Sequence, residues 1–180
     1  PYEPLLHDID LPISRVLYPL GFPLRFQTNS PEVEASALES WGRSSPMFDR
    51  DPFDLRVVVQ PGGARASAPV FRAQGHLLSV VADRDNFGGA DLQRAFAFLF
   101  LSGETVRDRA WLRWFWLDAL VYTMLVQEAV TPLHAACVEK NGTGLLLSGA
   151  SGSGKSTLAV ACALGAWSFV SDDVSYVLND

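Results

Sequence analysis

Apolar positions along the chain fall first into short runs, then into one long dense stretch, and finally into short runs on either side of a glycine-rich loop. Between Pro1 and Asn29, the prolines Pro4, Pro12, Pro19 and Pro23 interrupt any longer period, which predicts irregular or short extended structure. Ser30-Pro31 spells a helix start, with a capping hydroxyl, a proline at the first helical position, and Glu32 and Glu34 in the first turn. Val33, Ala37, Leu38 and Trp41 share one face of that helix, and Gly42 ends it. The Val57-Val58-Val59 run predicts a strand from Phe53 to Gln60, closed by the Pro61-Gly62-Gly63 turn. Strands predicted over Val70 to Ala73 and His76 to Ala82 flank Gln74-Gly75, and two more are expected around Phe87 to Leu92 and Ala95 to Leu101. The expectation for residues 1–105 is a β-rich accessory region: one short helix and an antiparallel meander, with no residue in the spacing of a catalytic group.

From Asp108 to Glu128 the pattern predicts a long helix, dense in Trp111, Trp114, Phe115, Trp116, Leu120 and Met124. Arg113 and Asp118 interrupt it, and each would be costly in lipid, so a buried helix is expected rather than a membrane span. Thr131-Pro132 closes this region, and His134 to Lys140 reads as a strand. Asn141-Gly142 then predicts a hairpin turn, with Leu145 to Ser148 as the returning strand. A helix follows to about Leu164, where Gly165 stops it, and Trp167 to Ser171 is the next strand, delivering Asp172 and Asp173 at its end. Because the intervening helix suits a crossover, the strands Leu145 to Ser148 and Trp167 to Ser171 are expected to be neighbours.

The junction between strand and helix carries the chemistry. LLLSGASGSGKST holds Gly149, four further residues, and then Gly154, Lys155 and Ser156, which is the phosphate-binding P-loop pattern in its strand-to-helix setting. A polyphosphate requires several backbone N–H groups to converge, and Gly149, Gly152 and Gly154 permit the unusual dihedrals and close approach this demands. The residues from Gly149 through Ala150, Ser151, Gly152, Ser153, Gly154, Lys155 and Ser156 to Thr157 are therefore the candidate ATP-binding loop. Lys155 is placed to reach the β- and γ-phosphates, and Ser156 to offer its hydroxyl to Mg²⁺. Asp172 and Asp173 come at the carboxyl end of a strand, where ligands of open α/β sheets sit. One of the two acids can hold Mg²⁺ and the other can accept a proton from an attacking hydroxyl. His134 either reaches the phosphates or is a hydrogen-bonded structural residue, and His7 and His76 have no comparable setting.

Composition narrows the partners. With 180 residues, 48% hydrophobic and 19% charged, the chain has ample material for a packed core. The net charge of -6 gives no general attraction to nucleic acid or to anionic lipid. Cys137 and Cys162 fall on a predicted strand and helix of the nucleotide-binding unit, where reduced thiols are the default, and no secretory signal pattern opens the sequence. A cytoplasmic protein that binds neither membrane nor nucleic acid is the expectation.

The segment LHAACVEKNGTGLLLSGASGSGKSTLAVACALGAWSFVSDD resembles the C-terminal catalytic domain of HPr kinase/phosphorylase and its relatives. In those proteins a histidine-led strand, a hairpin, a phosphate loop, one helix and a strand ending in paired aspartates follow in this order. The resemblance implies a fold similar to phosphoenolpyruvate carboxykinase and an ATP-dependent kinase acting on a serine hydroxyl of a protein or peptide. It further implies Asp172 as the base, Asp173 as the metal-assisting acid and His134 as an active-site histidine. The sequence departs from those enzymes in residues 1–130 and at Thr157, where they carry an acid, so the reverse phosphorolytic activity is not expected. A sheet ending just past Asp173 would leave an open edge, which predicts that residues 106–180, the apolar helix with the kinase core, are a truncated domain completed by further chain or by a homo-oligomer. The other functions weighed are a transporter-type ATPase, whose downstream signature is missing here, and a nucleotide-binding regulatory module without phosphoryl transfer.

Overall fold

The computed structural model describes residues 9–179, so His7 and the prediction for the first eight positions lie outside the described residues. The chain is mixed α/β, and its contacts divide it into two compact units between Met124 and Leu125.

The first unit is built on a seven-stranded mixed sheet. Its strands are β1 (Ile13–Leu17), β2 (Leu24–Thr28), β3 (Phe53–Gln60), β4 (Val70–Gln74), β5 (Leu77–Val81), β6 (Phe87–Asp91) and β7 (Phe96–Ser102), in spatial order β1-β2-β3-β7-β6-β5-β4. The meander expected from the sequence is present as β4 to β7, each pair antiparallel. Of the two forms expected for residues 1–29, irregular or short extended, the described part takes mainly the second, with β1 and β2 as five-residue strands in an antiparallel pair. Prolines did not prevent this, since Pro12, Pro19 and Pro23 all fall outside the two strands. β3 was also expected to open the meander, yet it lies between β2 and β7 and runs parallel to both.

The parallel β2–β3 pair follows from helix α1 (Pro31–Trp41), which returns the chain between them. Its cap is as predicted, for the Ser30 hydroxyl accepts from the Val33 N–H. Val33, Ala37 and Trp41 are buried, whereas Leu38 is 42% exposed and does not belong to the buried face. Apolar residues of alternating parity, Leu55 and Val57 on β3 with Ala97, Leu99 and Leu101 on β7, form the buried side of the sheet.

The long helix predicted over Asp108 to Glu128 is subdivided. It is preceded by α2 (Gly103–Arg107) and consists of α3 (Arg109–Leu112), a π-helical stretch (Arg113–Asp118) and α4 (Ala119–Glu128). Asp108 accounts for the break before α3, since its carboxylate accepts from the Trp111 N–H and starts a new helix. Leu112, Trp116, Leu117, Leu120, Met124 and Leu125 are buried as expected, but Trp114 is 75% exposed. Among the described residues no helix is long and apolar enough to cross a membrane.

The second unit holds β8 (Val130–Leu133), β9 (Ala135–Lys140), β10 (Thr143–Ser148), helix α5 (Lys155–Leu164), β11 (Ser168–Ser171) and β12 (Ser175–Leu178). β9 and β10 form the predicted hairpin, turning on Asn141 (φ 55°) and Gly142 (φ 79°). β11 pairs with β9, giving the order β10-β9-β11, and β12 pairs separately with β8. The expectation that β10 and β11 are neighbours is therefore corrected. They run parallel, as a crossover requires, but β9 lies between them. The reason is the packing of α5. The helix buries Ala159 against Ala136 and Val138 of β9, with Leu147, Cys162 and Trp167 around them, so the chain leaving it reaches the far edge of β9.

Candidate functional site

β10 ends at Ser148, and the chain enters the loop at Gly149. Gly152 and Gly154 take the left-handed conformation, with φ 79° and 87°, which a side chain would disfavour by about 1–2 kcal/mol per residue. Gly149 does not share it. A Cβ there would come within 2.7 Å of the Ser153 Oγ, a side-chain end that can turn away. A bond from the Ser153 N–H to the Ala150 carbonyl (3.1 Å) tightens the turn, and Ser151 to Gly154 remain exposed.

α5 follows directly, and no side chain caps it. The first bond of the helix, from the Leu158 N–H to the Gly154 carbonyl, is 2.8 Å long. The N–H groups of Lys155, Ser156 and Thr157 thus form the uncapped start of a ten-residue helix, carrying its partial positive charge. Lys155 folds back over the loop, and its Nζ donates to the carbonyls of Gly149 (2.9 Å) and Ala150 (3.2 Å).

At the end of β11 the register against β9 shifts between Phe169 and Ser171, a β-bulge just before the two acids. Bulges re-aim the residues that follow them. Ser156 Oγ lies 3.4 Å from the Asp172 carbonyl oxygen, donating to it at the long end of hydrogen bonding. His134, in the bend between β8 and β9, lies with Nδ1 3.3 Å from Asp173 Oδ1, both side chains being more than half exposed. The structure thus brings together the glycine-rich loop and its helix, the segment of both aspartates, and His134.

Sequence reasoning missed what holds this arrangement in place. Ser175 is buried, donating its hydroxyl to the Ala135 carbonyl at 2.9 Å and sharing a 2.6 Å hydrogen bond with Ser171 Oγ. The segment carrying Asp172 and Asp173 is therefore tied at both ends, and one tie leads to the residue after His134. The only available signal was the apolar alternation after Asp173, which marks β12. Beside the hairpin, the Gly142 N–H donates to Glu139 at 2.6 Å, and this bond, followed by one from Ser168, holds the Glu139 carboxyl below its ordinary value.

Among the described residues no group of three or more His, Cys, Asp or Glu is placed to hold a metal ion. The Ser156 hydroxyl, which touches the backbone carbonyl of Asp172, and the carboxylates of the aspartate pair are hard oxygens of the kind Mg²⁺ prefers when substrate phosphates and water complete its shell. Cys137 and Cys162 are free, with Cys162 in the cluster around Ala136 and Val138, and Cys137 in the alternate, opposite-facing position of β9.

Residues 101–180 match a family model described as ScmC, a SynChlorMet cassette protein. No curated protein and no solved structure matches the chain. The family match corrects the resemblance read from the sequence, because the model that fits the loop-bearing part is that of ScmC and not of an HPr kinase family. Ordered motifs of this kind follow from phosphate chemistry and from a crossover helix, so they are shared more widely than one family. The roles of His134, Asp172 and Asp173 rest accordingly on their geometry.

Proposed function

We propose that the second unit is a P-loop nucleotide-binding fold which binds ATP with Mg²⁺, and that the chain transfers the terminal phosphoryl group to a serine hydroxyl of a protein or peptide. The observation that carries this reading is an uncapped helix start with two left-handed glycines, a Lys155 ammonium folded onto the loop, and an acid pair whose backbone is touched by Ser156 of that helix. A lone glycine-rich turn has no need of the last two.

The loop N–H groups and Lys155 bind the phosphates, with Lys155 exchanging the carbonyls of Gly149 and Ala150 for phosphate oxygens. Mg²⁺, held by Ser156 and Asp173, would neutralise charge on the phosphates. Asp172 orients the serine hydroxyl and takes its proton as the serine oxygen bonds to the γ-phosphorus, while the bond from that phosphorus to the bridging oxygen breaks and ADP leaves. His134, with Nδ1 3.3 Å from Asp173 Oδ1, would position that carboxylate and leave its other oxygen for the metal. The free cysteines support a cytoplasmic setting. A second reading, nucleotide binding without transfer, is favoured by the open surroundings of the acid pair, where Asp173 is 69% exposed.

Measuring MgATP affinity and phosphate incorporation into serine-bearing proteins separates the two. Lys155→Ala is expected to lower both. Asp172→Asn is expected to keep binding while transfer drops by about 10²–10⁴, the usual contribution of a general base, and Asp173→Asn to raise the Mg²⁺ requirement. Full transfer by both aspartate variants would overturn the kinase reading, and binding with no transfer by the parent protein to any serine acceptor would leave the regulatory module.

A further inference from the structure

The helical layer of the first unit holds a site for which the nucleotide reading has no use. Beside α1 and Arg113 lies a shallow cavity, largely open to solvent, lined by Ala35, Leu38, Glu39, Arg43 and Arg113. Such a surface can seat one end of a small organic molecule. Two local features of the sequence build it. At Gly42 a Cβ would meet the Leu38 carbonyl oxygen at 2.6 Å, so glycine alone lets the chain leave α1 tightly enough to set Arg43 at the cavity. On the other wall the π-helical stretch begins at Arg113, and such wide turns within helices recur at binding sites.

The charges are arranged in a way that packing alone does not require. Arg113 is held in place, its Nε donating to Ser40 Oγ at 2.9 Å and its Nη1 to Glu39 Oε2 at 3.3 Å. The other Glu39 oxygen accepts from Arg109 Nη1 at 2.7 Å, so both of its oxygens are committed to guanidinium groups. Arg43 has no hydrogen bond, ion pair or ring contact with the described residues, and Arg113 retains an uncommitted Nη2. Asp118, which lies behind Ser40 and near Arg113, is a second acid of the cluster, and Glu32 faces Arg109 as a third. Three guanidinium groups therefore face three carboxylates, and the donors left over are those of Arg43 and the Arg113 Nη2.

We propose that this cavity binds a carboxylate monoanion carrying a compact apolar body. The Arg43 and Arg113 guanidinium groups offer the planar, multi-donor geometry that carboxylates match. Ala35 and the 42% exposed Leu38 supply an apolar wall for the rest of the ligand. A phosphate dianion would meet about twice the repulsion from Glu39 and Asp118 that a carboxylate meets, which favours a monoanion.

The test uses the full chain, with 3-phenylpropionate as probe, 3-phenylpropanamide as its neutral match and inorganic phosphate as competitor, followed through the backbone amide signals of Gly42 and Arg43. The acid is expected to shift both signals saturably and to bind about tenfold or more tighter than the amide, as expected for charge-assisted hydrogen bonds. Arg43 is exposed and unpaired, so Arg43→Ala leaves the fold intact and is expected to weaken the acid about tenfold while leaving the amide unchanged. Lys155→Ala, in the other unit, is expected to change nothing here, which keeps this result separate from that of the nucleotide reading. Equal binding of acid and amide, acid binding unaffected by Arg43→Ala, or displacement by phosphate at lower concentration than the acid would each overturn the proposal.

Discussion

At the scale of single residues, Asp118 shows how strongly position alone resets chemistry. Burial in the helical layer pushes its carboxyl above the usual value of 3.8, and a hydrogen bond from Ser40, the Arg113 guanidinium and the Trp41 indole offset only part of that. The indole lies near the carboxyl without a hydrogen bond of full geometry. Since the folded chain holds this proton more tightly than the unfolded one, its contribution to stability is fully present below about 3.8 and is lost as pH rises through the folded value. Asp118→Asn removes the ionisation while keeping an oxygen for Ser40. The stability difference between variant and parent, from denaturant midpoints across pH 4 to 7, is expected to move in favour of the variant as pH rises; a constant difference would show that Asp118 titrates alike in both states. Residues of the candidate site divide in the same way between local and tertiary causes. Gly152, Gly154 and Lys155 were legible because the loop's conformation is written in residue type, whereas the role of Ser175 was not, since its partner Ala135 is brought near only by the pairing of β12 with β8.

At the scale of elements, local signals located most strands and helices but did not set their order. The Ser30 cap and the Asn141-Gly142 turn are each decided within a few residues and were read correctly, whereas Gly165, expected just past the end of α5 as its C′ residue, is the C-cap itself at φ -92°, and Ala166 takes the left-handed conformation at φ 66°. The insertion of β9 between β10 and β11, and of β3 between β2 and β7, depends on which apolar faces the crossover helices cover, and no spacing in the sequence encodes that. The π-helical stretch was equally hidden, because Arg113 to Asp118 keeps a helical composition while its winding changes. A buried polar network shows how distant pieces of the sheet unit are fixed. Asn86 Oδ1 accepts from the Ser102 N–H (2.9 Å) and the Thr105 hydroxyl (2.8 Å), and Thr105 Oγ1 in turn accepts from the Ala66 N–H (2.9 Å). The turn before β6, the end of β7, the start of α2 and the loop before β4 thus meet at one point. Thr105→Val keeps the shape but leaves the buried Ala66 N–H without its acceptor, so a loss of about 1–3 kcal/mol is expected in equilibrium unfolding. A neutral result would mean that water or a shifted loop replaces the bond.

For the whole molecule, the division between Met124 and Leu125 separates the two proposed sites, with the glycine-rich loop in one unit and the arginine-lined cavity in the other. A ligand that binds only the native state stabilises it by about 2.7 kcal/mol at a hundredfold excess over its dissociation constant. If the units open independently, that stabilisation is confined to the one that binds, and hydrogen exchange can locate it. MgATP at such an excess is expected to slow exchange of the amides in β9, β10, β11 and α5 by up to about a hundredfold, the same free energy expressed as a population of open states. Amides in β3, β6 and β7 are expected to exchange at their unliganded rates. Lys155→Ala should abolish the protection without changing exchange in the unliganded sheet unit. Protection spread evenly over both units would show that they open together, and the contact division would then have no thermodynamic counterpart. Absence of any protection at millimolar MgATP would remove nucleotide binding, and with it the phosphoryl-transfer reading, while leaving the carboxylate site in the first unit to stand or fall by its own titration.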